Sequence, residues 1–253
     1  MTRVHAFRWS TGDGAPGCES GRAQVAPADG SDGRADGNIA SVLGDDPREW
    51  LRSALCSQCR DARIVDAILA TPRDRYVARE WRAFAWEDRA LPYAEGQTIS
   101  QPTMIAILLE ALEPRPDDVV LDVGTGSGYQ AGVLARLVRR VYGIEVIRSL
   151  AQRARASLAS DPGLPDNVRL VVGDAWRGFP AALRFDGIAV AAAASEVPAA
   201  LAEQLAPGGR LVVPIGSAGT FQDLVRVRRR RDGSFAEAEI LGACAFVPLV
   251  HAG

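Results

Sequence analysis

Lysine is absent from this 253-residue chain, so all 29 basic side chains are arginine. A phosphate-binding loop of the Gly-Lys-Ser/Thr kind therefore cannot exist here, which argues against ATP-driven phosphoryl transfer. Histidine is almost as scarce: His5 and His251 lie near the two ends, and neither is expected to act as a catalytic base. The cysteines, Cys18, Cys56, Cys59 and Cys244, are few for the length and do not read as a disulfide framework. Cys56 and Cys59 lack a second pair to complete a zinc site, so no metal is expected. No apolar run approaches the ~20 residues of a membrane span, and the opening stretch lacks the apolar core of a secretory leader. A soluble, cytoplasmic protein is expected. With 29 basic and 31 acidic residues the net charge is -2, and no global positive field favours nucleic acid or an anionic membrane. The arginine-rich run Arg226 to Arg231 lacks interleaved aromatics and reads as a solvated basic turn.

What is present suffices for one sizeable core, since 47% of the residues are hydrophobic. Residues 1–46 are dominated by Gly, Asp, Ala, Ser and Pro and are expected to form a disordered tail ahead of a single domain over 47–253. Within 47–112 the pattern is helical: Arg48 to Cys59, Ala62 to Ala70, then Thr103 to Leu112. Between them Tyr76, Trp81, Phe84 and Trp86 are expected to pack this small N-terminal layer. After Pro116 the pattern alternates, with strands at Val119 to Val123, Arg140 to Ile144, Val168 to Val172, Asp186 to Ala191 and Arg210 to Ile215. Helices are expected at Tyr129 to Val138, Ile147 to Ala159 and Val197 to Leu205. Such alternation of apolar strands and helices implies an α/β fold: a doubly wound, mostly parallel sheet covered on both faces. The segments 221–229 and 236–247, around Asp232-Gly233, read as an antiparallel C-terminal hairpin, bringing the sheet to seven strands.

In such a sheet, ligands lie beyond the carboxyl ends of the strands, at the switch point beside the first one. Gly124-Thr125-Gly126-Ser127-Gly128 stands there, after a strand ending in Asp122 and Val123. Its glycines let the backbone turn tightly and approach a ligand, while the following helix offers unpaired amides. Position 129 is Tyr where a dinucleotide fingerprint needs a third glycine, which disfavours nicotinamide. Glu145 follows Gly124 by 145 - 124 = 21 positions, placing an acid suited to ribose hydroxyls, with Val146 beside it. Gly173-Asp174-Ala175 closes the third strand, where a carboxylate and a neighbouring amide suit an adenine edge. Adenine and ribose without phosphates point to S-adenosylmethionine.

The chain resembles the protein-L-isoaspartate O-methyltransferase family over about Arg48 to Leu249. The resemblance is carried by Leu91-Pro-Tyr-Ala-Glu-Gly-Gln-Thr-Ile-Ser-Gln-Pro102, the 122–128 loop, Gly173-Asp174, Glu196-Val-Pro198, Pro207 to Pro214 and Phe246-Val-Pro-Leu249. It implies a class I, Rossmann-like methyltransferase that moves a methyl group from S-adenosylmethionine to the α-carboxylate of an isoaspartyl residue, releasing S-adenosylhomocysteine. The resulting ester would close to a succinimide and begin repair. The resemblance further implies Ser100 as the active-site residue, with Thr98, Ile99, Gln101 and Pro102 lining the peptide site and Val247 and Leu249 forming a C-terminal wall. Asp122, Gly124 to Gly128, Glu145, Val146, Gly173, Asp174 and Ala175 fall on its cofactor contacts. The implied partners are isoaspartyl proteins or peptides, the expected state a monomer. Departures from the family pattern at Ala193-Ala194-Ser195, at 219–221 and at Thr103 bear on peptide preference. Two other readings stand beside this one: a carboxyl methyltransferase tailoring aspartate in a dedicated peptide, and a noncatalytic binding module.

Overall fold

The computed structural model describes residues 46–217 and 220–252. Apart from Asp46, the expected tail lies outside the described residues. Asp46 opens the domain, its carboxylate accepting from the Arg48 amide ahead of α1 (Pro47–Gln58), where Pro47 fits the first helical turn. Asp61 caps α2 (Ala62–Ala70) in the same way. The two helices share an apolar seam of Leu51, Leu55, Ile64 and Ile68, and α3 (Pro102–Leu112) packs beside it with Leu108, Leu109 and Leu112 fully buried. Between α2 and α3 runs a two-stranded ribbon the periodicity did not reveal, β1 (Leu91–Pro92) antiparallel to β2 (Thr98–Ile99).

The remaining chain alternates as expected: β3 (Val119–Val123), α4 (Tyr129–Ala135), β4 (Arg140–Glu145), α5 (Arg148–Ala159), β5 (Val168–Val172), β6 (Phe185–Val190), α6 (Ala199–Glu203) and β7 (Leu205–Ile215). The strands β8 (Gln222–Arg228) and β9 (Glu239–Cys244) form the antiparallel edge. The seven-stranded sheet has the order β5-β4-β3-β6-β7-β8-β9, with β3 to β7 parallel. From β3 the chain builds outward to β4 and β5, then crosses to β6 on the other flank. The order therefore reverses between β3 and β6, where a crevice opens at the strands' carboxyl ends.

Each face of the sheet has its own core. Val120 joins the cluster under α1 to α4, whereas Leu121 and Val123 join that of Phe179, Phe185 and Leu201. This two-residue alternation places Asp122 on the Val120 face, against α4.

Three expectations change in detail. Helix α4 stops at Ala135, since the next turn tightens to bonds from Arg136 N–H to Val133 and from Leu137 N–H to Leu134. Helix α6 covers five residues only, because the Pro198 carbonyl already accepts from Leu201 and Ala202 and β7 begins at Leu205. The aromatic group is not purely local: Tyr76 is buried against Tyr129 of α4 and donates to Asp161, while Trp81 and Phe84 pack on each other at the surface. The basic run at 226–231 is tied down within the chain, Arg226 and Arg228 to Glu113 and Glu239, and Arg229 and Arg230 to backbone carbonyls. Among the described residues no helix is long and apolar enough to cross a membrane.

Candidate active site

The floor of the crevice is the turn from β3 into α4. Gly124, Gly126 and Gly128 have φ of +73°, +53° and +88°, left-handed conformations that a side chain would strain. Gly128 is further constrained, since a Cβ there would stand 3.2 Å from the Ala154 carbonyl oxygen of α5. The loop is fastened to the neighbouring strand by the Gly124 amide, 3.0 Å from the Ile144 carbonyl. Glu145, at the end of β4, accepts from the Gly126 amide at 2.9 Å through Oε2 and from the Ile147 amide at 2.9 Å through Oε1. Each oxygen keeps a further lone pair for a ligand hydroxyl.

Asp122 lies beneath this loop, fully buried. Its Oδ1 accepts from Gln130 Nε2 at 2.7 Å, but Oδ2 and Gln130 Oε1 have no partner among the described residues. Burial pushes the Asp122 carboxyl up to about 6, against the lowering bonds from Gln130 and Thr125 and with the Glu145 charge adding to the rise. Asp122 does not itself line the cleft, being covered by the turn and α4, whereas its partner Gln130 does, so the carboxylate bears on the cleft through Gln130. Gln130 was not singled out in the sequence; it is the second residue of α4, and only the packing puts it beside Asp122.

The opposite wall is the ribbon β1–β2. Its turn uses left-handed conformations at Glu95 (φ 57°) and Gly96 (φ 69°), and the Tyr93 amide bonds the Gln97 carbonyl at 2.8 Å. Ser149 of α5 donates to Glu95 at 2.8 Å, tying this wall to the sheet domain. As a result Thr98, Ile99 and Ser100 line the same cleft as Gly124, Thr125, Gly126 and Ser127. The Ser100 hydroxyl makes no hydrogen bond among the described residues, while its carbonyl accepts from Arg73. Gln101 and Pro102 do not line the cleft: Gln101 turns to Asp88 at 2.9 Å, and Pro102 is the buried first residue of α3.

A third wall comes from the segment after β9. Val247 and Leu249 line the cleft, held by bonds from the Ala193 amide to the Val247 carbonyl at 2.8 Å and from the Leu249 amide to the Ala193 carbonyl at 2.7 Å. Gln222 grips the same segment, its Oε1 accepting from the Phe246 amide at 2.7 Å. Glu145, Val146, Gly173 and Ala175 also reach the cleft. Asp174 does not; its Oδ1 accepts from Trp176 N–H at 2.9 Å, and its Oδ2 from Ala252 N–H at 3.2 Å. The His251 ring covers this carboxylate, stacked on Trp176 with centroids 5.0 Å apart and Nδ1 3.5 Å from Asp174. Ile105, Ile144, Ile147 and Leu150 complete a mostly apolar lining with acceptors at its floor.

This set of groups suits alkylation more than acid-base chemistry. Its lining offers one buried carboxylate, Glu145, together with backbone amides and the hydroxyls of Thr98, Ser100, Thr125 and Ser127, and His251 does not enter it.

Comparison with known proteins bears on the same surfaces. Residues 51–253 match the family described as protein-L-isoaspartate(D-aspartate) O-methyltransferase. The chain is 50% identical over 192 residues to a protein-L-isoaspartate O-methyltransferase of Anaeromyxobacter dehalogenans, covering 76% of this chain and 91% of that one. It is 44% identical over 209 residues to the protein of the same name from Pseudomonas syringae pathovar tomato, covering 81% and 95%. In fold it is similar to a crystal structure from Plasmodium falciparum, described as a putative protein-L-isoaspartate O-methyltransferase in complex with S-adenosyl-L-homocysteine. The TM-score is 0.70 at 24% identity, over 81% of this chain and 99% of that one.

Proposed function

Since the chain belongs to the protein-L-isoaspartate(D-aspartate) O-methyltransferase family, we propose that its cleft transfers a methyl group from S-adenosylmethionine to the α-carboxylate of L-isoaspartyl residues. The observation that carries this reading is the meeting of Ser100 and the Gly124-to-Ser127 part of the turn across one mostly apolar cleft, Gly128 facing α5 instead. One wall serves the methyl donor, the other the peptide carboxylate.

S-adenosylmethionine, when bound, supplies a methyl group made electrophilic by its sulfonium. Glu145 is the acceptor for the ribose hydroxyls, its geometry fixed by the Gly126 and Ile147 amides. Gln130, which lines the cleft, would offer its unpartnered Oε1 to the ammonium end, with Asp122 bonded behind it at 2.7 Å. Ala175 would serve the adenine end, where Gly173 also lines the cleft and Asp174 stands outside it.

No general base is required, because a carboxylate with an ordinary pKa of about 4 is already ionised at neutral pH. Ser100 would donate a hydrogen bond to one carboxylate oxygen, leaving the other free to attack the methyl carbon. Positioning of this kind supplies much of the rate in a reaction between two bound partners. The apolar lining adds to it: negative carboxylate and positive sulfonium neutralise each other on the way to products, and a poorly hydrated site favours that loss of charge. Val247 and Leu249 hold the peptide backbone beside Ser100. The ester formed is displaced by the following backbone nitrogen, expelling methanol and giving a succinimide whose hydrolysis returns part of the material to normal aspartate.

The test is transfer of labelled methyl to two matched peptides that differ only in carrying isoaspartate or aspartate. Label on the isoaspartyl peptide alone supports the reading; label on the aspartyl peptide favours a tailoring activity, and label on neither overturns both.

A further inference from the structure

Ser100 is set by groups that never reach the cleft. Its carbonyl accepts from Arg73 Nη2 at 3.0 Å, and the same nitrogen donates to the Arg89 carbonyl at 3.0 Å. Arg73 Nη1 donates to the carbonyls of Ala85 at 2.8 Å and Glu87 at 3.2 Å. Thus one guanidinium holds Ser100 together with both residues that flank Asp88. Asp88 in turn holds the residues following Ser100: Oδ1 accepts from the Thr103 amide at 2.9 Å, and Oδ2 from Gln101 Nε2 at 2.9 Å and Thr103 Oγ1 at 3.0 Å. The path from Arg73 to Ser100, Thr103, Asp88 and back to Arg73 is a closed ring.

Its cost shows that the ring is more than incidental packing. Arg73 is 0% exposed, and no carboxylate lies within ion-pair distance of it among the described residues. Its Nε is buried without a partner. A buried guanidinium hydrogen-bonded only to carbonyls, with the Tyr129 ring 5.6 Å from its Cζ as its aromatic neighbour, is an expensive way to fill a core, since desolvation of the charge opposes it. Its planar fork, however, reaches four carbonyls at once, which neither lysine nor an apolar side chain can do. Helix α3, whose own Ncap residue Gln101 makes no side-chain cap bond, borrows Asp88 as its cap across 15 positions of sequence.

We propose that Arg73 and Asp88 are positioning residues for methyl transfer, fixing the direction of the Ser100 hydroxyl by clamping the backbone on either side of it. The proposal rests on the assignment of Ser100 as the residue that orients the substrate carboxylate. Neither side chain lines the cleft, so both act through Ser100.

The experiment compares full-length Asp88→Asn, Thr103→Val and Ser100→Ala with the parent protein. It reads kcat and KM for an isoaspartyl peptide, the Kd of S-adenosylhomocysteine by calorimetry, and backbone amide exchange. Asp88→Asn keeps the shape but loses charge-assisted bonds, and is expected to lower kcat/KM about tenfold, with Kd within about twofold. Exchange should quicken over residues 98–103 and stay unchanged over 124–128. Thr103→Val removes a single side-chain bond and should show the same pattern at about threefold, which keeps the test available if Asp88→Asn does not fold. Unchanged kcat/KM in folded Asp88→Asn, unchanged exchange over 98–103, or a parallel loss of cofactor affinity overturns the ring. Unchanged turnover in Ser100→Ala overturns the Ser100 assignment itself; impaired Ser100→Ala beside normal Asp88→Asn removes the ring alone.

Discussion

Glu145 Oε2 accepts the Gly126 amide at 2.9 Å, so the carboxylate at the end of β4 and the glycine turn after β3 are joined as one rigid acceptor edge. The bond fixes the carboxylate at the cleft wall and holds the turn in place at the same time. Preorganisation of this kind lowers the ordering cost of binding.

Glu145→Gln keeps the shape of this edge but places a donor where an acceptor is needed. Loss of a hydrogen bond to a charged group costs about 1.5–3 kcal/mol, roughly a 10- to 150-fold weaker Kd for S-adenosylhomocysteine. Calorimetric titration measures it. A change below about threefold would remove Glu145 from the binding edge.

Asp122, acting through Gln130, is expected to make cofactor binding depend on pH. Its folded-state pKa of about 6 stands above the ordinary value of 3.8, so the folded chain holds this proton more tightly than the unfolded chain does. The contribution to stability is complete below the ordinary value and is lost as pH rises through about 6. A bound cation favours the ionised form, so the affinity for S-adenosylmethionine should fall as pH drops through that same value. Asp122→Asn is expected to flatten the profile and, by removing a buried charge, to raise the melting temperature at neutral pH. A profile that keeps its midpoint in Asp122→Asn contradicts this account.

Ser100→Ala separates the two walls. Turnover of the isoaspartyl peptide should fall by about two orders of magnitude, while Kd for S-adenosylhomocysteine stays within about twofold, since only the carboxylate loses its partner. Steady-state kinetics and calorimetry on one preparation decide it.

Gln222 controls the third wall from a distance. Gln222→Leu leaves the half-buried Phe246 amide without its acceptor at 2.7 Å, at a cost of about 1 kcal/mol in stability. The segment carrying Val247 and Leu249 loosens, and KM for the peptide is expected to rise more than kcat falls. Thermal unfolding and a peptide titration check the pair of effects.

How far these elements were legible in the sequence follows from how local their causes are. The sheet was readable because apolar strands, helical spacing and the glycine turn each leave their pattern within a dozen residues, and the three acids follow from strand ends. Gln101 and Pro102 show the limit: they adjoin Ser100 in sequence, but Asp88 draws Gln101 away and Pro102 is consumed in starting α3. Arg73 left no local mark, being one arginine among 29 until folding buried it behind Ser100. Gln130 and Gln222 are equally silent, each defined by a partner brought near by packing. Asp174 was expected at a strand end and stands there, but its cover by His251 and Ala252 depends on the path of the chain after β9.

The most direct test of the central claim is to follow one isoaspartyl peptide through repeated cycles with S-adenosylmethionine by chromatography and mass. Successive appearance of a methyl ester, a succinimide and a growing share of the normal aspartyl peptide is the predicted result. Persistence of the isoaspartyl peptide unchanged, or methylation of its aspartyl twin at the same rate, would contradict it.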